Sequence, residues 1–123
     1  MYTLSKSERL CSDTLIKKLF DKGNRSLSRF PFRLIWIETE HPGNETVQVL
    51  FLVSKRNFAK AVNRNKIKRQ LRELYRLNKP ELYARLSNRK IILSVAYTGK
   101  SMIGFSELKG AFDKLMNEFY GIV

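Results

Sequence analysis

Cysteine and histidine are almost missing from this chain of 123 residues, which carries one of each. Cys11 has no partner for an internal disulfide, a Cys-x-x-Cys motif or a zinc site, so a reducing cytoplasm is the expected compartment. His41, beside Pro42 and Gly43, stands alone and excludes the paired-histidine acid/base and metal arrangements used by many small nucleases. Long apolar runs are missing too. No stretch approaches the roughly 18 apolar residues that span a bilayer, and Met1-Tyr2-Thr3-Leu4-Ser5-Lys6 lacks the apolar run of a signal peptide. The expectation is a soluble protein that is not exported. Acidic residues are scarce: 11 Asp and Glu stand against 24 Lys and Arg, a net charge of +13. That excess goes beyond what solubility requires and points to a polyanionic partner, nucleic acid first and an anionic membrane surface second.

What is present argues for a folded domain. Hydrophobic residues make up 43% of the chain and aromatics 11%, whereas a disordered basic tail lacks the apolar surface to fold. The length fits one compact domain over residues 1–123, with no repeat, low-complexity stretch or linker. Charge is unevenly spread. Residues 55–76 hold nine Lys and Arg against the single Glu73, more than half of the net charge, while residues 36–50 hold three Glu and no Lys or Arg. One strongly basic side is expected.

Ser5-x-x-Glu8 has capping-box spacing, and Ser12-Asp13 offers a second N-cap before Leu15, Ile16, Leu19 and Phe20, predicting a helix over residues 12–22 that stops at Gly23. Two aromatic and β-branched runs, residues 30–37 and 47–53, flank the turn residues His41-Pro42-Gly43-Asn44 and predict an antiparallel hairpin. Ile91-Ile92-Leu93-Ser94-Val95-Ala96-Tyr97 predicts a third strand, too apolar for an edge open on both faces. Phe105, Leu108, Phe112, Leu115, Met116 and Phe119 recur at helical spacing, with Ser106 as candidate N-cap, and predict a closing amphipathic helix.

The chemistry lies between the last two predicted strands. Residues 61–77 are good helix formers, and Asn78-Lys79-Pro80 predicts the helix end. Ile67, Leu71 and Leu74 share one face, while Arg64, Lys68, Arg72 and Arg76 follow one another at i+4 with Asn65 and Arg69 alongside. A basic stripe is ordinarily a solvated face. Here the interspersed acids are missing, arginine with its planar fork predominates, and like charges at i+4 repel, so an anion such as a phosphate backbone would relieve the stripe. Lys55 and Arg56, just after a strand, extend the patch.

These residues also carry a resemblance. Leu52-Val53-Ser54-Lys55-Arg56, followed by Ala61-Val62-Asn63-Arg64-Asn65-Lys66-Ile67-Lys68-Arg69-Gln70-Leu71-Arg72-Glu73, is similar to the signature of the bacterial ribonuclease P protein component. Arg64-Asn65-Lys66 stands where that family has Arg-Asn-Arg. Ile16-Lys17-Lys18-Leu19-Phe20-Asp21-Lys22-Gly23 resembles its first helix, and Lys90 to Tyr97 its last strand.

The resemblance implies an α+β fold, an α-β-β-β-α-β-α sandwich whose four-stranded sheet contains a left-handed βαβ crossover through the basic helix, against the usual right-handed rule. It also implies a short strand near residues 25–28 that periodicity does not show. By the same resemblance the chain would be the protein subunit of ribonuclease P, an endoribonuclease whose RNA subunit carries the chemistry and removes the 5′ leader from precursor tRNA. Lys55, Arg56, Arg64, Asn65, Lys66, Lys68, Arg69 and Arg72 would face the catalytic RNA. Ile16 and Phe20 would line a leader-binding cleft between the first helix, the sheet and the basic helix. No side chain would be catalytic, and Mg²⁺ would be bound mainly by the RNA. The implied partners are the catalytic RNA and precursor tRNA, with no membrane and no obligate protein partner, in the cytoplasm.

Several positions depart from the family pattern. Ile16 replaces a usual Phe, Lys66 replaces the second Arg, and Leu50 and Leu52 stand where Gly and Ser are common. Asn57-Phe58-Ala59-Lys60 is one residue longer than the usual loop and lacks its Gly. Phe20 reads either as a stacking surface or as core, and the cleft residue on the first long strand is Phe32, Ile35 or Trp36 according to register. Two rival classes share part of this pattern. A general RNA-binding protein would have the charge but no leader preference, and a protein-only nuclease would need grouped carboxylates, whereas Asp13, Asp21, Glu73 and Glu107 are scattered. Helix-turn-helix DNA binding fits less well, because a strand precedes the basic helix.

Overall fold

Ser12 starts the first helix as its context predicts: the hydroxyl accepts a hydrogen bond from the Leu15 N–H at 3.3 Å at the head of α1 (Asp13–Leu19). The helix stops short of Lys22, and the Asn24 amide donates to the Lys18 and Leu19 carbonyls at its end. The computed structural model describes residues 8–21, 24–39 and 46–123. After α1 come β1 (Arg25–Arg29), β2 (Phe32–Glu38), β3 (Val47–Val53), α2 (Ala61–Leu86), β4 (Ile91–Tyr97) and α3 (Phe105–Ile122). This is the expected α-β-β-β-α-β-α order around a four-stranded mixed sheet. Ser5 of the capping box, Lys22, Gly23 and the turn at His41 to Asn44 lie outside the described residues.

The hairpin expected between β2 and β3 is not formed. The sheet order is β1-β2-β4-β3, and β4 lies between the two, antiparallel to β2 and parallel to β3. The reason is the apolarity of β4 itself, whose first five residues are all buried and which therefore takes the interior position. The parallel pair requires a crossover, which α2 supplies. β1 pairs with β2 through a tight connection at Phe30-Pro31, so β2 begins at Phe32.

Strand alternation gives the sheet two unequal faces. Phe32, Leu34, Trp36, Val47, Val49, Leu93 and Val95 pack under α2 and α3, joined by Ile67, Leu71 and Leu74 of α2 and Phe112, Leu115 and Phe119 of α3. Edge-to-face ring pairs, Phe32–Phe112 at 5.3 Å and Trp36–Phe119 at 4.7 Å, knit this core. On the other face α1 covers only part of the sheet, burying Leu10, Leu19 and Ile92 with Ile16, Ile35 and Leu50 half-buried around them.

Two helix ends differ from expectation. α2 continues through Pro80 to Leu86 instead of ending at Leu77. A proline inside a helix costs about 3 kcal/mol, but Leu82 and Leu86 beyond it are fully buried, each gaining roughly 1.5–3 kcal/mol, which offsets the loss. The N-cap of α3 is Gly104, not Ser106: the Leu108 N–H closes onto the Gly104 carbonyl at 3.0 Å and places Ser106 inside the first turn.

Candidate nucleic-acid interface

Burial of Ile67, Leu71 and Leu74 fixes the rotation of α2, and the cations between them turn outward. Asn65, Lys66, Arg69 and Arg72 are exposed and Lys68 is half-buried. None of these four cations forms an ion pair among the described residues. The ends of the predicted i+4 row are occupied differently. Arg64 turns back on the preceding loop, where its Nη1 donates to the Phe58 and Ala59 carbonyls at 2.8 and 2.9 Å. Arg76 binds Glu73 at 2.5 Å, and that hydrogen bond holds the Glu73 carboxyl below the usual carboxylate range. The free row is therefore Lys66, Lys68, Arg69 and Arg72.

Lys55 and Arg56 are exposed on the turn after β3. That turn is held at both ends: the Arg56 N–H donates to Ser54 Oγ at 3.1 Å, and the Phe58 N–H donates to the Ser54 carbonyl at 3.0 Å. The Phe58 ring is buried against Tyr97, at 5.9 Å between centroids. With the Arg64 clamp, the longer loop lacks glycine without lacking order.

An open groove of about 1,010 Å³ runs between residues 9–11, β3 and α2. Leu10, Leu50 and Phe51 form its apolar side, and Lys66, Arg69 and Arg72 its basic side. The Leu10 N–H donates to the Val49 carbonyl at 3.0 Å and fastens the leading segment along β3. Sequence reasoning placed neither Arg9 nor Cys11 at a binding surface; both join this groove through that pairing, which has no local signal in the sequence.

On α1, Ile16 is half-buried against the sheet, whereas Phe20 is 45% exposed and so is not core. The β2 register divides the three strand candidates between the two faces of the sheet. Phe32 and Trp36 lie under α2 and α3 at 1% and 4% exposure, and Ile35 faces α1. Arg33 shares that face and is exposed. Its alternation with Phe32 and Leu34 was readable in the sequence, but the face it would occupy was not.

Residues 4–120 match the family model described as Ribonuclease P. Among similar proteins are two named Ribonuclease P protein component. That of Porphyromonas gingivalis is 37% identical over 97 residues, covering 78% of this chain and 69% of the relative. That of Chlorobium phaeobacteroides is 33% identical over 127 residues, covering 94% and 86%. Among solved structures, the RNase P protein from Thermotoga maritima superposes with a TM-score of 0.66 at 24% identity, over 90% of this chain and 96% of that one. The RNase P protein of Staphylococcus aureus gives a TM-score of 0.69 at 20% identity, over 92% and 95%.

Proposed function

This chain belongs to the ribonuclease P protein family, and on that premise we propose that it binds the catalytic RNA through α2 and guides the 5′ leader of precursor tRNA across the α1 face of the sheet. The observation that carries the reading is the free row Lys66, Lys68, Arg69 and Arg72, rigidly presented by a buried helix face and bordered by an open groove. Phosphates laid along the row neutralise cations that otherwise repel each other, and the released counterions drive binding. Asn65, Lys55 and Arg56 continue the surface. Arg64 acts there by holding the Lys55–Arg56 turn in place.

Phe20 offers its exposed ring to an unpaired leader base, and Ile16 contributes an apolar contact. Endonucleolytic cleavage belongs to the RNA subunit. Mg²⁺ is assigned to phosphate oxygens of the RNA, where it would activate water and stabilise developing charge, and no step runs through a protein-held metal. No helix among the described residues is long and apolar enough to cross a membrane. The cytoplasm, where precursor tRNA is found, is the proposed compartment.

Reconstitution tests the assignment. Purified protein is mixed with a bacterial ribonuclease P RNA and leader-bearing precursor tRNA at low Mg²⁺, each component being omitted in turn. Cleavage at the mature 5′ end that requires both subunits, at a lower Mg²⁺ concentration than the RNA alone needs, is the expected result. Tight RNA binding without stimulation would leave a general RNA-binding domain. Cleavage by protein alone would overturn the assignment of the chemistry to RNA.

A further inference from the structure

The two edges of the sheet are finished differently. The outer side of β3 is taken by the leading segment, where Arg9 pairs with Val49 and the Leu10 N–H bonds the Val49 carbonyl. At the opposite edge, β1 has β2 on one side and no strand of the described residues on the other. The phase of the hydrogen bonds shows which of its backbone groups are left over. Across β2 and β4 the Thr98 N–H donates to the Pro31 carbonyl at 2.7 Å and the Thr39 N–H to the Lys90 carbonyl at 3.0 Å, both directly opposed pairs in the register of that ladder. Odd-numbered residues of β2 therefore bond toward β4 and even-numbered ones toward β1. Phe32, Leu34 and Trp36 engage Arg29, Leu27 and Arg25, and the N–H and C=O of Ser26 and Ser28 point away from the sheet. Both serines are exposed. A row in which each residue offers a donor and an acceptor is completed by another peptide backbone, whereas a phosphate backbone only accepts and would leave both carbonyls bare.

The side chains narrow the choice of partner. Arg25, Leu27 and Arg29 share the α3 face of the sheet with Trp36, Leu34 and Phe32, and Leu27 is half-buried against that core. Beside an added strand these three take the non-hydrogen-bonded positions, where facing side chains come closest. Arg25 makes no hydrogen bond or ion pair to any described residue. Arg29 gives Nε and Nη2 to one oxygen of Glu118 at 3.2 and 2.6 Å and keeps Nη1. A second copy of this edge fits badly. Arg25-Ser26-Leu27-Ser28-Arg29 reads the same in both directions, so self-pairing about Leu27, parallel or antiparallel, sets arginine against arginine. Nor does any segment of the chain carry two acidic residues four positions apart, the spacing that would meet both arginines.

We propose that β1 is a docking edge for an extended segment of another protein, which adds a fifth strand with acidic residues against Arg25 and Arg29 and an apolar residue against Leu27. The symmetry of the sequence lets that segment run in either direction. Three strand spacings, roughly 14 Å, separate this edge from β3 and the groove beside it, so the edge stays open while RNA lies along α2.

The probe is a fluorescein-labelled peptide, Gly-Glu-Thr-Val-Thr-Glu-Gly, read by anisotropy at moderate salt against the chain alone and against the holoenzyme reconstituted with ribonuclease P RNA. Saturable binding of equal affinity to both is expected. Methylating the two threonine backbone nitrogens keeps the charge and deletes the donors, and Arg25→Glu reverses one side-chain contact; each is expected to lower the affinity on the order of tenfold. Ser28→Pro removes an outward N–H without touching the pairing to β2 and should do the same. Undiminished binding of the methylated peptide would reduce the contact to charge alone and overturn the docking edge, a result that needs no variant to fold. Binding to the chain but not to the holoenzyme would place the peptide on the α2 row, and displacement by an equal concentration of single-stranded oligouridylate would make the edge an RNA surface. Either outcome overturns the proposal, and neither bears on whether the chain assists cleavage of precursor tRNA.

Discussion

Arg64 and Arg72 lie two i+4 steps apart on one helix and serve different ends. Arg72 is exposed and free of ion pairs, so Arg72→Ala should leave the urea midpoint unchanged while weakening RNA binding and reducing the salt slope of log K by about 0.7–0.9. Arg64 spends its guanidinium on two loop carbonyls, and Arg64→Ala should cost about 1–2 kcal/mol of stability, measured by urea unfolding. An Arg72 variant with undiminished affinity at moderate salt would remove that residue from the interface. Periodicity places both arginines on the same stripe and cannot separate them, because the difference depends on where the preceding loop leaves its carbonyls. Glu8 shows the same limit. It is buried at 3% exposure and binds Lys79 at 2.5 Å, a contact across the chain that no local spacing reveals. Glu8→Ala should cost about 3 kcal/mol by leaving the Lys79 ammonium without its carboxylate, and pairing it with Lys79→Met should recover most of that loss in a double-mutant cycle.

The elements divide into those that local pattern could specify and those that tertiary pairing decided. α1 with its Ser12 cap, the buried face of α2 and the apolar stripe of α3 were legible because helical periodicity and burial coincide. β1 was visible only through family resemblance, since Leu27 is its one apolar residue and its remaining positions are exposed. Strand order was misread because adjacency in sequence suggested a hairpin, while the apolarity of β4 required it to lie between β2 and β3. Pro80 suggested a helix end that burial farther along overrode. The true end of α2 is at Ser87, where φ is 56° and the Arg89 N–H bonds the Leu86 carbonyl at 3.1 Å. This is turn geometry that favours glycine, which has no Cβ to oppose the positive φ. Ser87→Gly should therefore stabilise the protein by about 0.5–1 kcal/mol, read as a higher urea midpoint at constant m-value. A lower midpoint would show that the serine side chain compensates the strain.

At the scale of the molecule, charge and packing act in opposite directions as pH rises. The net charge of +13 repels itself in the compact state, and deprotonation of lysines at alkaline pH relieves that repulsion. The buried phenols oppose this. Desolvation raises the Tyr97 pKa above its ordinary value of 10.0, with a smaller contribution from Glu107, and desolvation followed by Glu81 raises that of Tyr120. A group whose folded pKa lies above its unfolded value contributes stability that is fully present below the unfolded pKa and is lost as pH rises through the folded one. Both tyrosines therefore weaken the fold only above about pH 10. The lysine effect is common to wild type and variant, so the difference between them isolates the phenol. Tyr120→Phe, which loses only a 3.4 Å hydrogen bond to the Asn78 carbonyl, should be slightly less stable than wild type at pH 8 and should gain on it steadily from pH 10 to 11.5 in urea unfolding. A difference between the two proteins that stays constant over that range would mean that the Tyr120 phenol ionises as easily in the folded chain as in the unfolded one, and that alkaline loss of the fold has another source.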